Sequence, residues 1–291
     1  MKSYILILAF IVLSGVKVSY AQFENSDIGA RAVGMGGAYT SISDNSLAIF
    51  YNPSGLGQVS SREVSAFYQP SPFGLSDIST ASLTYAEPLK FGTLGLGFKT
   101  YGSSLYRETN GIVSFGKSYM NRFFYGANIN YYNLTIQGYG SASTFGVDLG
   151  AMAYITKYLR WGFFGKNITG SKIGTSGEKL AQVYKTGFNF HPVSDLNLSL
   201  EAEKDVRYPL SIKGGFEYSI MDYLDLRAGI SSEPAAFSAG IGFNYNLFTL
   251  DYAIYNHTDL GITHQGTITV NFGGVSARKR SREIMNRAFE N

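Results

Sequence analysis

The 291-residue chain has no cysteine, one tryptophan, three histidines and seven prolines. Without cysteine there is no disulfide scaffold, no thiolate metal site, no iron–sulfur cluster and no cysteine nucleophile. Charge is also scarce: 15% of residues are charged, against about 25% in an average soluble domain. Disorder is excluded all the same, because 45% of residues are hydrophobic and supply ample surface to bury. After residue 21 no apolar run approaches the ~18–20 residues of a helical membrane span, which excludes a helical membrane bundle. What the chain has in excess is 34 Gly, 22 Tyr and 21 Phe.

Residues 1–21 read as a signal peptide. Lys2 precedes an apolar run from Tyr4 to Val16, followed by Ser19-Tyr20-Ala21. A short basic start, a brief apolar core and small residues at the cleavage positions predict removal before Gln22. The run is too short for a membrane anchor. Without Lys2 and Lys17 the remainder carries 22 basic and 21 acidic residues. No global basic field exists, so nucleic acid is not an expected partner.

Period-2 alternation is the dominant pattern. In Phe237-Ser-Ala239-Gly-Ile241-Gly-Phe243-Asn-Tyr245 every second residue is apolar. Leu196 to Glu203, Leu224 to Ile230, Phe248 to Tyr252, Phe145 to Ala151, Leu159 to Phe163 and Ile268 to Phe272 repeat it. Successive side chains of a strand point to opposite faces, so each segment has one apolar face and one polar or glycine face. A soluble sandwich and an outer-membrane barrel both fit such segments. The barrel fits better. The polar face is rich in Gly and small residues rather than Lys and Glu. The apolar face is rich in Tyr and Phe near strand ends, as in interfacial girdles. The strands also recur in one continuous series.

The fold class is therefore an all-β transmembrane antiparallel barrel. About 14 strands are expected over residues 62–273, centred near 65, 82, 96, 113, 128, 149, 162, 186, 198, 214, 227, 241, 251 and 269. Short turns are expected at Tyr119–Arg122, Pro192–Asp195, Met221-Asp222 and Asn244–Asn246, and longer outer loops at Pro70–Ile78, Gly102–Asn110 and Asn167–Glu178. The alternation assigns Asp148, Arg160, Lys185, Glu201 and Glu203 to a lumen face, together with Lys213, Glu217, Asp225, Arg227 and Asp251. Their mixed signs point to pairing rather than to a charge-selective filter.

Ahead of the strands, Ser26 to Gly57 does not alternate. It contains Gly29-Ala-Arg31-Ala-Val-Gly34-Met-Gly36-Gly37-Ala, then Asp44, then Asn52-Pro53-Ser-Gly55-Leu56. Closely spaced glycines permit tight bends and close backbone approach, and Asn-Pro starts a turn. A compact, turn-rich segment before a barrel reads as a plug over residues 22–61.

This pattern, G-A-R-A-x-G-M-G-G-A followed by an acidic residue and N-P-S-G-L, resembles the start of FadL-type outer-membrane barrels. It resembles still more the PorV/PorQ-type branch, associated with type IX secretion. The match covers Gly29 to Leu56. It implies a 14-stranded barrel in the bacterial outer membrane with both termini periplasmic. It also implies a plug shaped by Gly29, Arg31, Gly34, Gly36, Gly37, Asn52, Pro53 and Gly55. Arg31 and Asp44, as charges of this segment, are expected to anchor it to lumen charges. The implied function is passage of small, fatty-acid-like hydrophobic compounds. The partners would be outer-membrane lipid and a hydrophobic small molecule. The alternative is a secretion accessory, with a secretion-system or periplasmic protein as partner. Two departures stand out: the long outer loops of FadL transporters are missing, and residues follow Phe272, where a typical barrel ends.

Those residues, 274–291, form a basic periplasmic tail with Arg278, Lys279, Arg280, Arg282 and Arg287. Ile284, Met285, Ala288 and Phe289 share one face if the tail is helical, which would let it meet anionic lipid or a partner. A frayed, solvated end is the simpler expectation. Catalytic and cofactor signals are absent. Gly34-Met-Gly36-Gly37 completes no phosphate-loop pattern, and there is no G-x-S-x-G. His257, Asp259 and His264 fall near one expected outer turn, where surface residues with no ligand role are a better reading than a loose metal site. No enzyme, cofactor or metal is expected.

Overall fold

The alternating segments close into a ring. In the computed structural model, which describes residue 23, residues 27–175 and residues 177–289, fourteen long strands form a closed antiparallel barrel. They are β1 (Glu63–Pro70), β2 (Ser79–Leu89), β3 (Gly92–Gly102), β4 (Tyr106–Tyr119), β5 (Phe123–Ile136), β6 (Gly140–Thr156) and β7 (Leu159–Lys166), then β10 (Val183–Phe190), β11 (Leu196–Asp205), β12 (Ser211–Met221), β13 (Leu224–Ser232), β14 (Ala235–Tyr245), β15 (Phe248–His257) and β16 (Gly261–Asn271). A small hairpin of β8 (Lys172–Ile173) and β9 (Glu178–Lys179) lies in the β7–β10 connection. Neighbours follow chain order, and β1 pairs β16 from Glu63↔Asn271 to Tyr68↔Gly266, which closes the ring and leaves no free edge. The expected signal peptide and its cleavage point lie outside the described residues.

Each expected strand centre falls within an observed strand. The ends of the strands differ from expectation. The Gly102–Asn110 stretch is mostly strand, because β4 already starts at Tyr106 and pairs Arg107 with Gly102. One end of the barrel carries only tight turns, such as Met120-Asn121 with both φ at +53°. The opposite end carries the longer β1–β2 and β7–β10 connections. These are the short-turn and long-loop ends below.

Register and burial agree throughout. Along β12, Ser211, Lys213, Glu217 and Ser219 are buried while Ile212, Phe216, Tyr218 and Ile220 are exposed. The same holds around the ring, where Leu96, Val113, Ile129, Leu200, Ile241, Leu250 and Ile268 cover the outer surface. Because the side-chain period is two, a slip of one residue would exchange these faces.

The segment before β1 folds into α1 (Ala30–Gly34), α2 (Ala48–Tyr51) and a 3₁₀ helix (Pro53–Gln58). After α1 the chain reverses through Gly36 and Gly37 at φ +66° and +76°, a backbone region closed to most side chains. Asn52 starts the 3₁₀ helix: its Oδ1 accepts from the Ser54 amide at 3.2 Å, and Pro53 takes the first helical position, where no N–H is needed.

The tail is not frayed. Ala277–Phe289 is a helix, α3, and Met285 is buried with Phe124, Met152 and Tyr154 while Ile284, Ala288 and Phe289 pack alongside. The apolar face expected to seek lipid or a partner is spent on the barrel's own short-turn end.

Candidate functional site

The segment from Asp27 to Val59 packs on the buried faces of the strands and contributes many of the most buried side chains, Tyr39, Tyr51, Met35 and Ile49 among them. Its hydrogen bonds reach nine of the fourteen barrel strands. Buried polar groups need partners, and here the barrel wall supplies them.

Arg31 is the centre of the largest cluster. Its Nε and Nη2 donate to both carboxylate oxygens of Glu217 on β12, at 2.8 and 3.0 Å. Its Nη1 donates to Asp44 Oδ1 at 2.6 Å and to the Tyr39 hydroxyl at 3.0 Å. Glu217 also accepts from Arg227 at 2.8 Å, and Arg227 turns to Asp251 at 2.7 Å and Asp225 at 3.4 Å. Two guanidiniums thus share one carboxylate in an arrangement whose forks and acceptors match. Burial alone would lower the pKa of Arg31, but Asp44 and Glu217 outweigh it and hold it well above its ordinary value. Burial pushes the Tyr39 and Tyr51 hydroxyls up, so both stay protonated; Tyr39 donates to Asp44 at 3.5 Å, and Tyr51 accepts the Ile28 amide at 3.0 Å.

A second cluster lies beside it. Glu203 binds Lys185 at 2.7 Å and Lys213 at 2.6 Å, and Glu201 accepts the Thr40 amide at 2.8 Å. The opposite side is nearly free of ion pairs to the segment. There Asn128 donates to the Ile49 carbonyl at 2.8 Å and to Asp148 at 2.9 Å, while Asp148 also accepts from Asn130 and from the Asn167 amide. Asn52 donates to the carbonyls of Thr40 and Ala151 at 2.9 and 3.0 Å.

Where side chains would collide, the wall carries glycine. A Cβ at Gly162 would lie 2.6 Å from the Thr40 carbonyl oxygen, and one at Gly126 would lie 2.5 Å from the Pro53 carbonyl carbon. Gly34 lies on Gly240 of β14, Gly55 lies on the Ser43 carbonyl, and Gly29 faces Leu47. The glycine-rich polar face is therefore matched to the segment's backbone.

All ten charges assigned by alternation lie on the buried face, with Glu203 half-buried and the others buried. Nine of them join the clusters above. Arg160 instead bonds Asn189, Asn197 and Ser281, toward α3. The Asp44 carboxylate meets the barrel charges through Arg31. Sequence reasoning missed Glu63, which accepts the Ser46 amide at 2.6 Å. It is the first residue of β1, where one turn residue more or less reverses the assigned face. It also missed Gln58, which donates to the Ser43 carbonyl at 2.8 Å and accepts from the Tyr154 hydroxyl.

At the long-loop end a cavity of ≈ 490 Å³ opens. Phe73, Tyr101, Tyr255 and Leu260 give it an apolar wall, Asp27, Glu108, Glu203 and Lys213 give it polar positions, and Val33 and Gly36 of the N-terminal segment join its lining. Phe73 sits edge-on to His257, 5.8 Å away, and its amide donates to Thr263, so the β1–β2 connection folds over the cavity.

The fold has solved counterparts. The P. putida toluene transporter TodX superposes with a TM-score of 0.66 at 12% identity, over 84% of this chain and 98% of that one. The CymD monoaromatic hydrocarbon channel gives 0.65 at 10% identity, over 86% and 99%. A Pseudomonas aeruginosa FadL homologue gives 0.62 at 12% identity, over 84% and 99%. No protein-family model and no curated protein matches the chain. At such identities the likeness is one of fold, and it falls on the FadL-like side of the sequence resemblance. These structures lend nothing to the PorV/PorQ-type side.

Proposed function

We propose that the chain is an outer-membrane transport protein that passes small hydrophobic, fatty-acid-like compounds, with residues 27–61 as a plug in the barrel lumen and both termini on the periplasmic side. The observation that carries this reading is the aromatic-walled cavity at the long-loop end, whose lining includes the N-terminal segment itself. Its volume lies within the range of small-molecule sites, about 300–1,000 Å³. The outer wall supports the membrane placement, since an apolar band with Tyr and Phe suits hydrocarbon and its interfaces. The fold shared with TodX and CymD supports a hydrophobic cargo. On this reading a compound settles in the cavity, and a shift of the plug, bending at Gly36 and Gly37, opens the path below it.

The test is reconstitution into planar bilayers and liposomes. Deleting Gly29 to Gly37 is expected to raise conductance and speed uptake of a small aromatic hydrocarbon; conductance equal to the intact chain would sink the plug. Native mass spectrometry of protein extracted gently from membranes reads the cargo. A retained hydrophobe supports transport, and a retained protein partner without one favours the secretion accessory.

A further inference from the structure

α3 is ill-suited to exist alone. Its first turn holds Arg278, Lys279 and Arg280 and no acidic residue, so positive charge sits at the positive end of the helix dipole. Thirteen residues is about the length at which isolated helices are marginal. The pair within the helix, Glu283 with Arg287 at 3.7 Å, is exposed and contributes little. Its helicity depends on the surface it docks on.

That surface supplies what the helix lacks. Arg278 pairs with Asp225 of β13 at 3.1 Å, and Lys279 faces Asp222 at 3.6 Å. At the far end Phe289 lies against the Arg122 guanidinium of the β4–β5 turn, 4.2 Å from the ring centre. β13 and that turn are six to seven strands apart in a ring of fourteen. The helix therefore spans the short-turn mouth close to a diameter.

Its middle reaches the N-terminal segment. Arg280 Nη2 donates to the Asp44 carbonyl at 2.6 Å and to Glu63 at 3.3 Å. The Ser281 hydroxyl donates to Gln58 at 3.0 Å and accepts from Arg160 at 2.6 Å. Asp44 is thus held twice, its carboxylate by Arg31 and its carbonyl by Arg280.

We propose that α3 is a latch: docked, it clamps residues 43–58 from the short-turn end, and it must leave before the segment can move. The inference rests on the plug reading above. Its hold is incomplete, because Nε and Nη1 of Arg280 are buried without a hydrogen-bond partner among the described residues, and an unsatisfied buried donor costs stability. The connection to β16 runs through Gly273-Gly274, with Gly274 at φ +68°. Release would leave the barrel ladders untouched, since none of them includes α3.

Hydrogen exchange on the full-length chain tests the latch. Met285→Asp removes the apolar anchor without touching the segment, and Arg280→Ala removes the clamp. Both are expected to speed amide exchange over residues 43–58 by about tenfold or more, as a released local unit does, with β14 and β15 unchanged. Arg280→Lys should restore part of the protection. If Met285→Asp frees α3 while residues 43–58 exchange at the parental rate, the latch is wrong. Bilayer conductance of Met285→Asp separates the two readings. Faster exchange with raised conductance supports both, and faster exchange with flat conductance keeps the latch and removes the plug.

Discussion

The two sides of the barrel hold the same segment by different chemistry. On the β11–β16 side Arg31, Glu217, Arg227 and Asp251 form a chain of buried ion pairs. Backbone lies against glycine on both sides, at Gly215, Gly229 and Gly240 as at Gly126 and Gly162, but on the β3–β7 side these contacts stand with amide bonds from Asn128 and Asn52 in place of ion pairs. The first kind of contact is strong only when complete, since a buried charge stripped of its partner keeps its full desolvation cost. The second kind tolerates changes of polarity but not of volume. A segment held this way is tied firmly along one side and merely fitted along the other. Motion should begin on the fitted side.

The sharpest way to break this contrast is Glu217→Ala. It leaves Arg31 and Arg227 facing each other without a shared acceptor and is expected to cost about 3–5 kcal/mol, read from urea unfolding of the folded barrel. A loss as small as that of an exposed pair would mean that the network is dispensable. Next comes Gly162→Leu. Its Cβ falls on the Thr40 carbonyl, and overpacking of this kind costs about 1–3 kcal/mol. Exchange should rise over residues 39–43 while Ala30 and Arg31 stay protected; uniform loosening would erase the distinction between the sides.

The smallest effect belongs to His191, in the turn after β10 where the two sides meet. Burial, with Arg160 nearby, pushes its imidazole down to about 4 from an ordinary 6.5. The unfolded chain therefore binds the extra proton between those values. The stability that neutral His191 contributes is whole above about pH 6.5 and is lost as pH falls toward 4. The unfolding midpoint should drop over that window, and His191→Asn should flatten the drop. Identical profiles for the two proteins would rule out this contribution.

Most of the ring was legible because a strand announces itself in its own side chains. Leu196-Asn-Leu198-Ser-Leu200-Glu states which atoms face which way, and the fourteen centres follow. Strand ends were not legible: Arg107 and Glu108 read as loop, yet they pair in β4 because the partner strand continues beside them. The charges of the site were legible as a set, since each occupies the polar phase of its strand. Their pairing was not, because Arg31 meets Glu217 across 186 residues and no local pattern encodes that. The amphipathic face of 277–289 was visible as a stripe, but a stripe does not name what covers it. Arg280 was visible as one basic residue of the tail but not as a clamp, since its partners, the Asp44 carbonyl and Glu63, lie 236 and 217 residues away.

The pairing of β1 with β16 has one last consequence, for where α3 can dock. Its partners are Glu63 on β1, Asp225 on β13, and Asp44 in the segment ahead of the barrel. Through the β1–β16 pairing, β1 and β13 are four neighbours apart in the ring; along the chain Glu63 and Asp225 are separated by 162 residues. Closure is thus what gathers the acceptors of one short basic helix at a single mouth, and a ring with a strand out of register would offer that helix fewer of them.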